Sequence, residues 1–285
     1  MTDLNPAGQL LHMHQKDFHL LGSYIEKHFG IKMPAVKKEL LEARLSKRLR
    51  ALKLGAFSDY IDYLFSPAGQ TGEFLYFIDL VSTHETSFFR ESAHFEILQR
   101  LLLPKLLNDG NNNLKVWSAG CSTGEEPFSL AIAIEEWFDA NRSFVKRYDI
   151  LGTDLSDESL RKALFGVYSE ERIKTLPLNL RNKYLLRSID PADTIVRIIP
   201  TLRAHLRFRS LNFMETRWGL AEKFHIIFCR NVLIYFSHEN QRLITKKLID
   251  ALLPGGYLVR GHSETVIGFQ EHLKVIEPAV YQKTA

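Results

Sequence analysis

The sequence predicts an α/β chain in two parts: an all-α N-terminal domain, then a doubly wound parallel sheet carrying a small antiparallel β insertion. Three observations predict it. Up to about position 85 the apolar residues recur at helical spacing and never alternate. After the polar break Asp109-Gly-Asn-Asn-Asn113, short apolar runs alternate with helical segments, the pattern of a parallel sheet with crossover helices. Finally, a glycine loop at Gly120–Gly124 joins the first such run to the next helix, where sheets of this kind take their ligands.

In chain order, Asp17 caps a first helix whose apolar face is Phe18, Leu21, Ile25 and Phe29, ending near Gly30. A second runs from Ala35 to Leu54. Leu41, Leu45, Leu49 and Leu52 lie on one of its faces, and Gly55 stops it. Ser58 caps a third helix through Phe65, closed by Ser66-Pro67, and a fourth spans Glu73–Val81. These fill a domain over residues 1–85. Residues 86–113 form a linker and a connecting helix, opened by Ser92 and carrying Phe95, Leu98, Leu101 and Leu102. In 114–285, strands are expected at Leu114–Ser118, Tyr148–Thr153, Leu206–Ser210, Phe224–Cys229 and Tyr257–Gly261. Helices are expected at Phe128–Phe138, Asp157–Phe165 and Gln241–Leu252, with a turn at Leu253-Pro-Gly-Gly256. Over about 176–205 the alternation lapses. There Thr194–Ile199 and Ala204–Phe208 read as a small antiparallel ribbon turned at Asp190-Pro-Ala-Asp193.

Composition narrows the class. No apolar run approaches the roughly 18–20 residues of a membrane span. The first residues lack the basic-then-apolar order of a secretory signal, and two cysteines are too few for a disulfide framework or a metal cluster. A cytoplasmic chain is expected, without metal, and nothing forces more than a monomer. The formal net charge is +4, yet Ile31–Lys53 alone carries eight basic residues against Glu39 and Glu42. Positive charge is thus concentrated near the N-terminus and points to a polyanionic partner. Aromatics do not interleave with these residues, which argues against nucleic acid.

The glycine loop is the most informative segment. Gly120 and Gly124 allow close backbone approach to a ligand, and Asp154 ends the second strand where a carboxylate can accept from a ribose. The loop is not G-x-G-x-x-G and holds no cation. Glu125 and Glu126 stand where a diphosphate would want positive potential. A nucleoside without phosphates, such as S-adenosylmethionine, fits better. The rival is G-x-S-x-G, the nucleophile elbow of α/β-hydrolases, with Ser122 followed by Asp154 or Asp250 and then His262. Only helices precede this elbow, where a hydrolase would have strands. A glycine turn that holds no ligand is the third reading.

Four segments, taken together, carry a resemblance. They are His84-Glu-Thr-Ser-Phe-Phe-Arg90, Ser118-Ala-Gly-Cys-Ser-Thr-Gly-Glu-Glu-Pro127, Phe228-Cys-Arg-Asn-Val-Leu-Ile-Tyr-Phe236 and Pro254-Gly-Gly…Gly261-His-Ser-Glu264. In this order they closely resemble the chemotaxis receptor methyltransferases of the CheR family, over essentially the whole chain. The resemblance implies a Rossmann-like S-adenosylmethionine-dependent methyltransferase domain behind a substrate-docking helical domain. The implied reaction is methyl transfer to glutamate side chains of methyl-accepting chemotaxis proteins, giving glutamyl methyl esters and S-adenosylhomocysteine, in bacterial chemotaxis adaptation. It implies His84, Thr86 and Arg90 at the cofactor, with Arg90 near the methionine carboxylate. Glu126 would hold the methionine end and Asp154 the ribose. Asn212 and Phe213 would sit by the adenine, Arg230, Asn231 and Val232 would complete the pocket, and Tyr235 would stand near the transferred methyl. Arg90 and Tyr235 would thus be the catalytic positioners.

Singly, each has a plainer reading: ion pairs for Arg90 and Arg230, a helix cap for Asp154, a core aromatic for Tyr235. Glu125, Cys121 and Cys229 read as structural. The chain departs from the family where His84 replaces the usual Asn and His225 a usual acid. The insertion's stretch Arg187–Thr194 has no glycine, where relatives that dock a receptor's C-terminal peptide have a glycine-rich loop, so tethering-pentapeptide binding is not expected. On a helix, Lys37, Arg44 and Arg48 share one face, a suitable surface for a receptor helix bearing glutamates.

Overall fold

The computed structural model describes residues 11–82, 84–142, 147–190, 192–266 and 268–284. The chain divides into two compact units. One comprises Met1–Thr83 with Asn212–Thr216 and Tyr235–Asn240; the other comprises His84–Leu211, Arg217–Ile234 and Gln241–Ala285.

The first unit is helical: α1 (Gln15–Phe29), α2 (Lys38–Leu52), α3 (Phe57–Phe65) and α4 (Pro67–Val81). Phe18, Leu21, Leu45, Leu49, Tyr60, Leu64 and Phe77 form its buried centre. The expected helices are present, with ends that differ for local reasons. α1 begins earlier, after His14, and Asp17 lies inside its first turn and is buried. Gly30 ends it in the left-handed region, where a Cβ would come within 2.5 Å of Met214 Sδ. α2 is stopped by left-handed Lys53, ahead of Gly55. Ser66-Pro67 closes α3 but also opens α4. The Ser66 hydroxyl accepts from Gly69 N–H and Pro67 takes the first turn, so α4 starts six residues before Glu73.

The second unit is built on a seven-stranded sheet. Its strands are β1 (Leu114–Ala119), β2 (Tyr148–Asp154), β6 (Leu206–Ser210), β7 (Phe224–Cys229), β8 (Leu252–Arg260), β9 (Leu273–Glu277) and β10 (Val280–Lys283), in the order β6-β2-β1-β7-β8-β10-β9. The first five are mutually parallel, and β10 runs antiparallel between β8 and β9. The short helices α5 (Ala93–Ile97) and α6 (Leu103–Asn108) precede β1; α7 (Glu125–Ala140) and α8 (Asp157–Phe165) follow β1 and β2; α9 (Leu178–Tyr184) and α10 (Pro200–Arg203) precede β6; and α11 (His238–Ala251) joins β7 to β8. The inner parallel strands β1, β2 and β7 are near-continuous apolar runs because both faces are covered, whereas β6, at the sheet's edge, is largely exposed. Leu253-Pro-Gly-Gly256 is not a separate turn. It lies within β8, where the pairing with β7 shifts register between Phe224 and Ile226.

The insertion is a three-stranded antiparallel sheet of β3 (Val167–Ser169), β5 (Ile195–Ile198) and β4 (Leu185–Arg187), with β5 central. Here the expected ribbon is corrected. β5 pairs with β3 and β4, not with Ala204–Phe208, because Leu206 onward is committed to the main sheet, pairing in parallel with Ile150 and its successors. The turn at 190–193 includes position 191, outside the described residues.

Candidate cofactor site

β1 delivers the chain into the glycine loop at its carboxyl end. Gly120 has φ +86°, and a Cβ there would lie 2.4 Å from Val232 Cγ2. Glycine at this position therefore lets two pocket segments, the 120–124 loop and the turn after β7, approach each other. Two loop amides, Gly120 and Cys121, donate to Thr153 O at 2.7 and 2.9 Å. Ser122, itself left-handed, donates its N–H to Asp154 Oδ2 at 2.8 Å, and Ser156 N–H donates to Asp154 Oδ1 at 3.0 Å. Burial holds the Asp154 carboxyl above its ordinary range against these bonds. Asp154 thus clamps the loop, while Ser156 caps α8 by accepting from Ser159 N–H. Gly124 is required by packing: a Cβ would meet Ala163 at 2.8 Å and Tyr168 Oη at 2.9 Å.

Glu126, on the first turn of α7, is held from two sides. Ser118 Oγ donates to one oxygen at 2.7 Å and Arg230 to the other at 3.0 Å. Burial raises its pKa, with Arg230 pulling the other way. Arg230, whose side chain is 1% exposed, also donates to Glu91 at 3.0 Å and to the Arg90 carbonyl. It is therefore an ion-pair bridge between two carboxylates, which is the plainer of its two readings and leaves its Nε unpaired among the described residues.

The turn Asn231–Ile234 is fixed by a residue whose motif the sequence displayed without a role. Glu264 is buried, and its Oε2 accepts from Asn231 and Gly261 N–H, its Oε1 from Val232, Leu233 and Ile234 N–H. Asn231 sits at φ +56°, a conformation that these bonds compensate. Asn231 Nδ2 donates to Glu91 Oε1 at 3.2 Å.

The His84–Arg90 segment belongs to the same unit. His84 Nδ1 lies 2.9 Å from Ser159 Oγ, the Thr86 carbonyl accepts from Arg172, and Arg90 donates to the Glu85 carbonyl at 2.8 Å. Glu125 is structural: fully buried, it accepts from Thr123 Oγ1 at 2.6 Å and from Arg172 at 3.0 Å. Tyr168 Oη donates to the Thr123 carbonyl at 2.8 Å, so β3 and the short turn after it brace the loop. Sequence reading missed Glu91, Tyr168, Arg172 and Glu264, because nothing in their local spacing marks the partner. Cys121 and Cys229 are buried, and burial raises both thiols, Cys229 to about 12, which suits structural roles.

Asn212, Phe213 and Tyr235 fall in the helical unit. Asn212 Nδ2 donates to the His28 carbonyl at 2.8 Å, and its Oδ1 accepts from Met214 N–H at 2.9 Å. Phe213 meets Phe236 edge-on at 6.2 Å between centroids. The Tyr235 carbonyl accepts from Lys32 N–H at 2.8 Å, and Lys37 Nζ lies 5.6 Å from its ring centroid.

The expected basic helix begins later than Ala35: Lys37 ends a short turn ahead of α2, Arg44 and Arg48 lie on α2, and all three carry partners of their own. Arg48 forms a bidentate pair, at 2.6–3.0 Å, with Glu73, whose side chain is 1% exposed. Arg44 donates to the carbonyls of Leu80 and Ser82, and Lys37 to that of Lys32. The nucleophile-elbow reading finds no support. The hydrogen bond described for Ser122 Oγ runs to the His84 carbonyl, not to an imidazole nitrogen.

A parallel sheet with a glycine turn after β1, an acid at the end of β2 and no cation in the loop suits an adenosyl ligand without a diphosphate, as an S-adenosylmethionine-dependent methyltransferase requires. Residues 84–281 match the family domain described as "CheR methyltransferase, SAM binding domain", and residues 16–82 match "CheR methyltransferase, all-alpha domain". A chemotaxis protein methyltransferase of Borreliella burgdorferi is 37% identical, with 99% of each chain covered. Chemotaxis protein methyltransferase 2 of Pseudomonas aeruginosa is 34% identical, over 96% of this chain and 95% of its own. That of Klebsiella aerogenes is 36% identical, over 92% and 87%. The chain belongs to the CheR family of chemotaxis protein methyltransferases.

Proposed function

We propose that the chain transfers the methyl group of S-adenosylmethionine to glutamate side chains in the helical cytoplasmic region of chemoreceptors, giving γ-glutamyl methyl esters and S-adenosylhomocysteine. The observation that carries this is the Gly120 turn: positive φ, space a Cβ would fill, the Ser122 amide tied to Asp154, and Arg230 already spent on Glu91 and Glu126. A diphosphate would find no cation there; an adenosyl group with an uncharged ribose and an amino-acid tail would find acceptors.

Bound S-adenosylmethionine supplies an electrophilic methyl on a sulfonium that carries its own leaving group. The acceptor carboxylate has a pKa of about 4.3 and is already an anion at neutral pH, so no general base is needed. The chain's work is alignment and exclusion of water. Asp154 accepts from the ribose hydroxyls, and Glu126 holds the ammonium end. Arg90 faces the methionine carboxylate, with His84 and Thr86 beside it. Arg230, Asn231 and Val232 form the wall opposite Gly120. The resemblance assigns Asn212 and Phe213 to the adenine and Tyr235 to the methyl.

The helical domain, residues 1–85, docks the receptor in this reading, with Lys37, Arg44 and Arg48 on the basic face; residues 86–113 link it to the methyltransferase domain, residues 114–285. No described helix is long and apolar enough to cross a membrane, and we place the chain in the cytoplasm, working as a monomer. A glycine-free insertion loop binds a receptor's tethering pentapeptide poorly. Incubation with labelled S-adenosylmethionine and receptor-bearing membranes is expected to give label that mild alkali releases as methanol. Label that alkali does not release, or none at all, overturns the reading.

A further inference from the structure

We propose that Glu91, His94 and His262 form a binding site for a divalent transition-metal ion of the zinc type. One donor atom from each lies within 4.8 Å of the others. His94 Nδ1 is 3.4 Å from Glu91 Oε2, His262 Nδ1 is 4.0 Å from the same oxygen, and the two rings are 4.5 Å apart between centroids. A tetrahedral ion with bonds near 2.0–2.2 Å separates its donors by roughly 3.3–3.5 Å. The three side chains thus stand close to that spacing before any ion arrives.

A second observation points the same way. The His94 side chain is fully buried, yet neither of its ring nitrogens has a hydrogen-bond partner among the described residues. A buried imidazole carries one N–H and one lone pair, and leaving both unmet is unfavourable. A metal ion would take the lone pair that faces Glu91 and His262. The supporting geometry is also present. Glu91 is held at φ +53°, outside the ordinary range for its residue type; Asn231 Nδ2 donates to its Oε1, and its Oε2, which lies toward the histidines, accepts from Arg230 at 3.0 Å and from the His262 backbone N–H at 3.4 Å. Glu91 and His94 are three residues apart at the start of a helix, and His262 follows β8. The His262 side chain is 51% exposed, which gives an entry route and leaves a coordination position open to water.

Two nitrogens and one carboxylate select zinc, cobalt or nickel over the hard cations magnesium and calcium, which need oxygen. The Arg230 guanidinium, 3.0 Å from Glu91 Oε2, competes for the same oxygen. That competition makes the ion exchangeable, and it couples the site to the pocket: metal on Glu91 draws it from Arg230, whose other carboxylate is Glu126. On the reading given above, zinc would thereby weaken S-adenosylmethionine binding. That consequence rests on the proposed function; the site itself does not.

The test uses the full chain freed of metal with a chelator and titrated with Zn²⁺ by calorimetry, without cofactor. The wild type is expected to bind one equivalent more than His262→Ala, or to bind that equivalent at least about tenfold more tightly. Co²⁺ should show the intense visible bands of a four- or five-coordinate ion in the wild type alone. Equal stoichiometry and affinity in the two proteins overturns the proposal. So does a purely octahedral Co²⁺ spectrum in the wild type, which reads the site without any variant. If zinc binds but S-adenosylhomocysteine affinity is indifferent to it, the site stands and only the coupling falls.

Discussion

Replacing Glu264 by Gln changes one oxygen to an amino group and nothing in shape. Five backbone N–H groups, from Asn231, Val232, Leu233, Ile234 and Gly261, converge on this carboxylate at 2.8–3.3 Å. An amide has one acceptor oxygen. Whichever way it is turned, at least two of the five donors then face an NH₂ group. Each buried donor left unmet costs about 1–3 kcal/mol. The Arg260 guanidinium, 3.6 Å away and equally buried, also loses its counter-charge. Removing one partner of a buried ion pair costs about 3–5 kcal/mol. These losses overlap, and local relaxation recovers part, so we expect a destabilisation of about 3–5 kcal/mol. All three tryptophans, Trp117, Trp137 and Trp218, lie in the sheet-bearing unit, so urea unfolding followed by their fluorescence reports on that unit. A change below about 1 kcal/mol would refute the reasoning, for it would mean that the turn carrying Arg230–Val232 holds its shape without the carboxylate.

Arg90→Ala should lower methyl transfer about a hundredfold or more with the circular dichroism spectrum retained; near-normal turnover would remove Arg90 from the cofactor. Gly120→Ala places a Cβ 2.4 Å from Val232 Cγ2 at a positive φ. It should weaken S-adenosylhomocysteine binding at least about tenfold, and unchanged affinity in equilibrium dialysis would contradict that. Arg48→Ala strands the buried Glu73 carboxylate and should destabilise the helical domain by about 3 kcal/mol. Docking is therefore better tested by charge reversal at Lys37 and Arg44, which should slow receptor methylation while leaving cofactor binding alone. The His225 Nδ1 accepts from Lys115 N–H, and its Nε2 is 3.0 Å from Asn111 Oδ1, so the ring is neutral, and burial lowers its pKa. Below about pH 6.5 the unfolded chain then binds the proton that the folded ring refuses. The stability His225 confers is present above that pH and lost as pH falls below it. His225→Gln should flatten the slope of stability against pH between about 5 and 7.

What the sequence made legible follows from length and periodicity. The parallel strands, the glycine turn and the helices with a clean apolar face are readable, because each is a local pattern of five residues or more. β3 and β4 are three residues each and have no period to detect; only pairing with β5 makes them strands. β9 went unseen because it is an edge strand, and Val275 is exposed where alternation would bury it. The wrong partner for β5 arose because Leu206–Ser210 looks equally suited to a ribbon or to the sheet, and the parallel pairing with β2 decides between them.

The site shows a different limit. Motif residues could be named by type, but their partners lie far off along the chain: Glu91 pairs with Arg230, and Glu264 with the turn at 231–234. Charge pattern suggested that Lys37, Arg44 and Arg48 form one free basic face. Arg48 instead closes on Glu73, and Tyr60 Oη donates to the same carboxylate at 3.0 Å, so one of the three charges is neutralised inside the fold. A cation on a helix face is available to a partner only if no buried acid lies within its reach, and that acid, on α4 twenty-five positions later, carries no mark in the sequence. The same logic explains why Arg230 reads as a ligand contact yet acts first as a bridge. Its two carboxylates must be satisfied before the pocket has a wall. Cofactor binding and the stability of the Arg230–Val232 turn should accordingly fall together in Glu264→Gln, and a variant that lost one while keeping the other would separate roles that the geometry joins.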